Sequence, residues 1–241
     1  MSETPQFYRK IAALNPQAHR DWRVSGQANY GFAAETNAVL MTTVEFPLAA
    51  CEFPIVFILS GTRIRPVAVM GLKERQNLFV QPDGAWAGRY IPAYVRRYPF
   101  ILAGEAESSG QFTVCVDEDF TGFNREQGEA LFEADGQQSP FLKRAVTFLQ
   151  DYQLQGRRTE SFCEQLQALG VLDSMQANVA PLDGGRFSLA GFLAVNRQRL
   201  KALKASKLAE MTKDDSLELI YLHLQSLANF QRLSNLLAKG S

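Results

Sequence analysis

The chain has 241 residues, and its 25 lysines and arginines are balanced by 25 aspartates and glutamates. A formal net charge of zero argues against whole-molecule attraction to nucleic acid or to an anionic membrane. Three cysteines without paired spacing argue against a disulfide scaffold or a cysteine-rich zinc site, and two distant histidines thin the metal and catalytic options. No metal and no cofactor is expected, and no catalytic residue is assigned.

Met1 to Arg20 carries charges and amides where a signal peptide needs an uninterrupted apolar run. Reduced thiols without a leader point to the cytoplasm. The longest apolar stretch, around Pro54–Leu59, is too short to cross a bilayer and predicts a strand, so no membrane insertion is expected.

Residues 22–120 are rich in β-branched and aromatic residues and predict a mainly β part. Strands are expected at Val39–Phe46, Pro54–Leu59, Arg65–Met70, Asn77–Gln81, Phe100–Ala103 and Gln111–Val116. Ser60-Gly61-Thr62-Arg63 and Lys73-Glu74-Arg75-Gln76 are short enough to join antiparallel neighbours, and Pro82-Asp83-Gly84 is a strong turn. No connection is long enough for repeated βαβ units.

Residues 121–241 predict a mainly α part. Phe141, Ala145, Phe148, Leu149 and Tyr152 share one helical face. Thr159 or Ser161 is placed to cap a second helix, whose stripe of Phe162, Leu166 and Leu169 ends at Gly170. Leu182–Val195 returns to extended character after a turn at Asp183-Gly184-Gly185. Helix resumes from Arg197 to Ala238, with heptad-like spacing at Leu217, Ile220, Tyr221, Leu224 and Leu227. That stripe either packs on the protein's own core or supports a homo-oligomer. The expected fold is α+β: a curled, mostly antiparallel sheet or partial barrel in the N-terminal half, helices in the C-terminal half, and residues 1–241 as one unit.

Several blocks are distinctive in order and spacing. They are Glu52-Phe53-Pro54-Ile55-Val56-Phe57, Pro66–Leu72, Asn77–Val80, Asp83-Gly84-Ala85-Trp86, Val114–Asp117 and Leu219–Leu227. The most specific is Tyr90-Ile91-Pro92-Ala93-Tyr94-Val95-Arg96-Arg97-Tyr98-Pro99-Phe100. With these residues the chain resembles the SapC family of bacterial proteins along nearly its whole length. The resemblance implies a name associated with surface layers and genes placed near TonB-dependent receptors. It carries over no catalytic residues, because none is established for the family.

The Tyr90–Phe100 run is the strongest site candidate. Pro92 suits the first turn of a short helix, and Pro99 ends it. Tyr90, Tyr94 and Arg97 then share a face, with Trp86, Arg89 and Arg96 close in sequence. Arginine forks over aromatic rings hold carboxylates, phosphates or planar ligands. The plainer alternative is that the tyrosines plug the sheet and the arginines pair with local acids. Asp117-Glu118-Asp119 imitates a calcium loop but has Gly128 where the twelfth-position Glu belongs, so an acidic turn is the simpler reading. Cys51, Cys115 and Cys163 read as buried free thiols, and His19 and His223 as packed or capping residues.

The sequence therefore predicts a non-enzymatic binding or accessory protein, associated through the resemblance with TonB-dependent uptake or cell-surface functions. Its partner is an unidentified protein or small molecule, not nucleic acid. The rival is an enzyme whose pocket joins the Trp86–Arg97 segment to Asp117 or Asp119.

Overall fold

The computed structural model describes residues 5–25, 29–103, 112–179 and 187–239. In chain order the strands are β1 Ile11–Ala13, β2 Arg23–Val24, β3 Ala38–Leu40, β4 Ile55–Ser60, β5 Arg63–Val69, β6 Phe100–Ala103, β7 Thr113–Asp117, β8 Phe123–Asn124, β9 Glu129–Ala130, β10 Leu172–Val179 and β11 Phe187–Val195. The helices are α1 Pro16–His19, α2 Phe46–Ala49, α3 Ala93–Arg96, α4 Pro140–Leu169, α5 Arg197–Lys201, α6 Ala205–Lys213, α7 Ser216–Ser226 and α8 Asn229–Lys239. The fold is α+β, with three antiparallel sheets among the described residues that do not close into a barrel and the long helices in the C-terminal half.

The main sheet has the order β10-β11-β4-β5-β3, so the C-terminal half adds two strands to it. β4 and β5 form the expected hairpin, with Ser60 opposite Arg63 and Gly61 at φ +62, the positive value that a two-residue hairpin loop needs at its first position. β11 meets β4 at one register pair, Leu193 with Phe57. Near that divergence α7 supplies the missing partners. Val195 N–H donates to His223 Nε2 at 3.1 Å, His223 Nδ1 lies 2.7 Å from Ile55 O, and Ile55 N–H donates to Ser226 Oγ at 2.9 Å. Buried backbone groups must be paired, and here a histidine and a serine from a helix pair them. The stripe of α7 thus turns inward: Ile220 and Leu224 join the large core, while Tyr221 is exposed.

A second, smaller apolar cluster contains Phe100, Val116, Leu131, Phe132, Leu142 and Leu149. The helix α4 reaches both, giving Leu142 and Leu149 to the small cluster and Phe162, Cys163 and Leu166 to the large one. Two helices were expected in this stretch, but one continuous helix runs through it. Ser139 caps its start, accepting from Leu142 N–H, with Pro140 at the first helical position, and Gly170 ends it at φ +62. Thr159 does not cap. Its hydroxyl donates to Gln155 O at 2.7 Å within the helix and accepts from Thr43 N–H at 2.9 Å.

Two expected strands are also corrected. Val39–Phe46 stops being a strand after Leu40, because Thr42 and Glu45 form a reciprocal capping box that starts a short helical turn leading into α2. Asn77–Gln81 forms only a single bridge, Val80 with Trp86. Asn77 diverts it: its side chain accepts from Phe79 N–H and donates to Ala33 O. The strand β10 went unpredicted, its Asp, Ser, Gln and Asn masking any alternation. Cys115 and Cys163 are buried, whereas Cys51 is exposed just beyond α2. The Asp183-Gly184-Gly185 turn and Gln111 lie outside the described residues. No helix among the described residues is long and apolar enough to cross a membrane.

Candidate functional site

Three buried carboxylates fix the path of the Arg89–Tyr98 segment and its surroundings. Glu52 accepts from the backbone N–H of Arg89 at 2.8 and 2.9 Å and from that of Tyr90 at 3.2 Å. Glu45 accepts from Ala93 N–H at 2.7 Å and from Tyr90 O–H at 2.8 Å, while its other oxygen holds Thr42 N–H and O–H. Asp117 accepts from the N–H groups of Arg9, Lys10 and Asp119 and from Tyr98 O–H. A buried carboxylate is tolerable only when donors surround it, and these are surrounded, Glu52 having Arg232 within 3.9 Å as well.

This scaffold changes the geometry of the run. Glu52 engages Arg89 and Tyr90 before the helix, and Pro92, at ψ 140, is the residue from which α3 starts. Tyr90 therefore lies outside the helix and does not share a helical face with Tyr94 and Arg97. Trp86 stacks on Phe79 with centroids 5.9 Å apart and donates its indole N–H to Tyr90 O at 2.9 Å. It is packed against the large core and lines none of the cavities described below.

The remaining residues divide among three cavities. Arg89, Tyr90 and Arg96 border one of about 620 Å³ beside Val44, Leu48 and Phe148. Arg96 is locked there: its Nε donates to Ile91 O at 2.9 Å, and its guanidinium lies 5.0 Å from the Phe148 ring centre and 5.8 Å from that of Tyr90. A second cavity of about 440 Å³ takes Arg96 and Arg97 with Phe32, Phe120, Phe141 and Phe148. The third, about 730 Å³, is lined by Tyr94 and Arg97. Its walls are β3, β5 and α4, contributing Leu40, Ile64, Arg65, Val67, Tyr152 and Arg157 among others.

Arg97 is the unusual group. Its guanidinium carbon sits 4.0 Å from the Tyr94 ring centre, 5.2 Å from Tyr152 and 5.8 Å from Tyr8. Each such stack contributes about 0.5–2 kcal/mol. Ring faces, however, cannot accept the N–H bonds that point along the guanidinium plane. The Nε of Arg97 is buried without a hydrogen-bond partner, and so is the Nε of Arg65 on the same cleft. Among the described residues neither arginine has a carboxylate within ion-pair distance.

The acids that could have neutralised these arginines are engaged elsewhere. Glu118 pairs with Lys10 at 2.8 Å and with His19 at 3.2 Å, and Asp117 is saturated by its four donors. Neither Asp117 nor Asp119 lines the cleft that holds Tyr94 and Arg97. Glu160 does line it, but pairs with Arg63 at 3.1 Å. Among the described residues no cluster of three His, Cys, Asp or Glu side chains could hold a metal ion.

Protonation states follow from burial. Tyr8, Tyr90, Tyr98 and Tyr152 are all held above the ordinary phenol value, chiefly by burial, with Glu45 adding to the effect at Tyr90 and Asp117 at Tyr98. They are neutral hydroxyl donors. Burial also pushes the Cys163 thiol, which borders the cleft, up to about 12, away from thiolate chemistry.

Sequence reasoning missed Arg65, Tyr152, Tyr8 and the two glutamates. The glutamates were visible as charges inside apolar stretches, and Thr42-x-x-Glu45 is a capping-box spacing. Arg65, Tyr152 and Tyr8 gave no local signal, since they meet Arg97 only in three dimensions.

Comparison with known proteins gives one match. No curated protein and no solved structure matches the chain. The SapC family model matches residues 14–233, which include the whole Tyr90–Phe100 run, β3 to β11 and α7, and the chain belongs to the SapC family.

Proposed function

We propose that the protein is a non-enzymatic binding or accessory protein whose contact region is the Trp86–Arg97 segment and the 730 Å³ cleft beside it. The observation that carries this is Arg97, a cation framed by three tyrosine rings with a buried N–H that has no partner. Buried donors left unpaired cost about 1–3 kcal/mol each, a cost that a bound acceptor relieves. The supporting groups also favour binding over chemistry: the tyrosines are neutral, the nearby thiol is protonated, and the buried acids are spent on backbone N–H groups.

In this reading the protein works in the cytoplasm with a protein or small-molecule partner, and the family association with TonB-dependent uptake or surface functions describes its setting. The test is recovery of affinity-tagged protein from native cells, with bound species identified by native mass spectrometry. A species retained by the natural chain and lost from the Arg96→Ala/Arg97→Ala variant supports the proposal. Equal retention by both, or turnover of a substrate by the purified protein, overturns it.

A further inference from the structure

Resting on that binding reading, we propose that the cleft between β3, β5 and α4 takes an amphipathic oxyanion: a carboxylate or phosphate head on an apolar body, with Arg65 and Arg97 gripping the head.

The charge balance of the cleft comes first. Arg65, Arg97 and Arg157 line it, against one acid, Glu160, which is already paired with Arg63. Arg65 and Arg97 come from different elements, β5 and the end of α3, yet both line this cleft, where Arg97 lies 5.2 Å from the Tyr152 ring centre. The buried carboxylate Glu45 has its two oxygens occupied by four donors and forms an ion pair with neither arginine. Guanidinium groups recognise carboxylate and phosphate through paired N–H donors lying in their plane, and those edges are the ones that ring stacking leaves unused.

An acceptor is unpaired there as well: Gln153 Oε1 is buried without a donor on the same wall. It suits a protonated phosphate or a hydroxyl near the head group. The lining is mixed: Leu40, Met41, Ile58, Ile64 and Val67 supply apolar surface for a body beyond the head group, beside the polar Gln6, Asn37, Thr42, Ser60 and Thr159. The volume of about 730 Å³ lies within the range of about 300–1,000 Å³ usual for small-molecule sites.

Gly156 adds an independent observation. Glycine in a helix interior costs about 1 kcal/mol relative to alanine. Nothing lies within 4 Å of where its Cβ would stand, so no close packing calls for a glycine, and its φ is not in the positive region that favours one. What the missing side chain does preserve is open space on the α4 wall of the cleft.

The experiment is calorimetric titration of the full chain with decanoate, decyl phosphate, decanol and inorganic phosphate. Decanoate or decyl phosphate binds, and whichever binds more tightly identifies the head group. Decanol and inorganic phosphate bind at least tenfold more weakly. Arg65→Met and Arg97→Met each weaken binding tenfold or more, and Gly156→Leu abolishes it in a protein whose circular dichroism and unfolding midpoint show it folded. Failure of both charged probes to bind at millimolar concentration overturns the inference. So does equal binding of decanol, equal binding of inorganic phosphate, or unchanged binding by Gly156→Leu. If no oxyanion binds while native cells still yield a partner retained through Arg97, the ligand class fails and the binding function stands.

Discussion

His223 makes folding stability depend on pH in a way that can be calculated. Its Nε2 accepts the Val195 N–H and its Nδ1–H donates to Ile55 O, so the folded state needs the neutral ring. Burial pushes its pKa down to about 4 from an ordinary 6.5, outweighing the opposing effect of the Ile55 carbonyl. The unfolded chain therefore binds the extra proton first as pH falls, and the stability contributed by the neutral ring is complete above about pH 6.5 and is lost on the way down to about pH 4. With those two values, going from pH 7 to pH 5 removes about 2 kcal/mol, and the full loss below pH 4 is about 3 kcal/mol. Urea unfolding of the natural chain and of His223→Gln at pH 5, 6 and 7 isolates the effect. Glutamine can accept from Val195 and donate to Ile55 but does not titrate. The natural chain should lose about 2 kcal/mol more than the variant between pH 7 and pH 5. Equal losses in the two proteins would refute the assignment of a buried neutral imidazole.

Other outcomes follow from single contacts. Thr159→Val leaves the buried Thr43 N–H without its acceptor and should destabilise by about 1–3 kcal/mol in chemical denaturation. Glu45→Gln replaces an acceptor by a donor opposite Thr42 or opposite Tyr90 and Ala93, and should cost about 2–4 kcal/mol and increase hydrogen exchange at Ala93. In the native protein one thiol, Cys51, should react promptly with a disulfide reagent at pH 8, and Cys115 and Cys163 only on unfolding; prompt reaction of Cys163 would contradict its burial. Gly170→Ala, at φ +62, should destabilise by about 1 kcal/mol, whereas Gly156→Ala should stabilise by a similar amount.

What was legible in the sequence was what short-range patterns determine. Runs of β-branched and aromatic residues between turn signals marked β4, β5 and β6, and the Ser60–Arg63 spacing marked the β4–β5 hairpin. The Ser139-Pro140 start of α4 was passed over, and Thr159 and Ser161 looked like caps because a hydroxyl in mid-helix and one at an N-terminus are the same letter. The Tyr90–Arg97 run stood out by composition, yet its course is governed by Glu45 and Glu52, 37 to 48 residues earlier. The stacking of Arg97 on Tyr8 and Tyr152, and its sharing of a cleft with Arg65, depend on β5, the N-terminal segment and α4 coming together. Nothing in local spacing encodes that.

The way the segment is anchored has a consequence for how recognition can change. Glu52 and Glu45 grip it through the amide hydrogens of Arg89, Tyr90 and Ala93, a group that every residue except proline possesses. The outward side chains of Arg89 and Arg96 contribute nothing to those two anchors. Arg89 can be exchanged for residues of other size or charge while the loop keeps its path, whereas Arg96 also donates to Ile91 O and so helps hold it. Selectivity and foldability are thus separable in this stretch, and new binding preferences can be installed there without redesigning the protein around them.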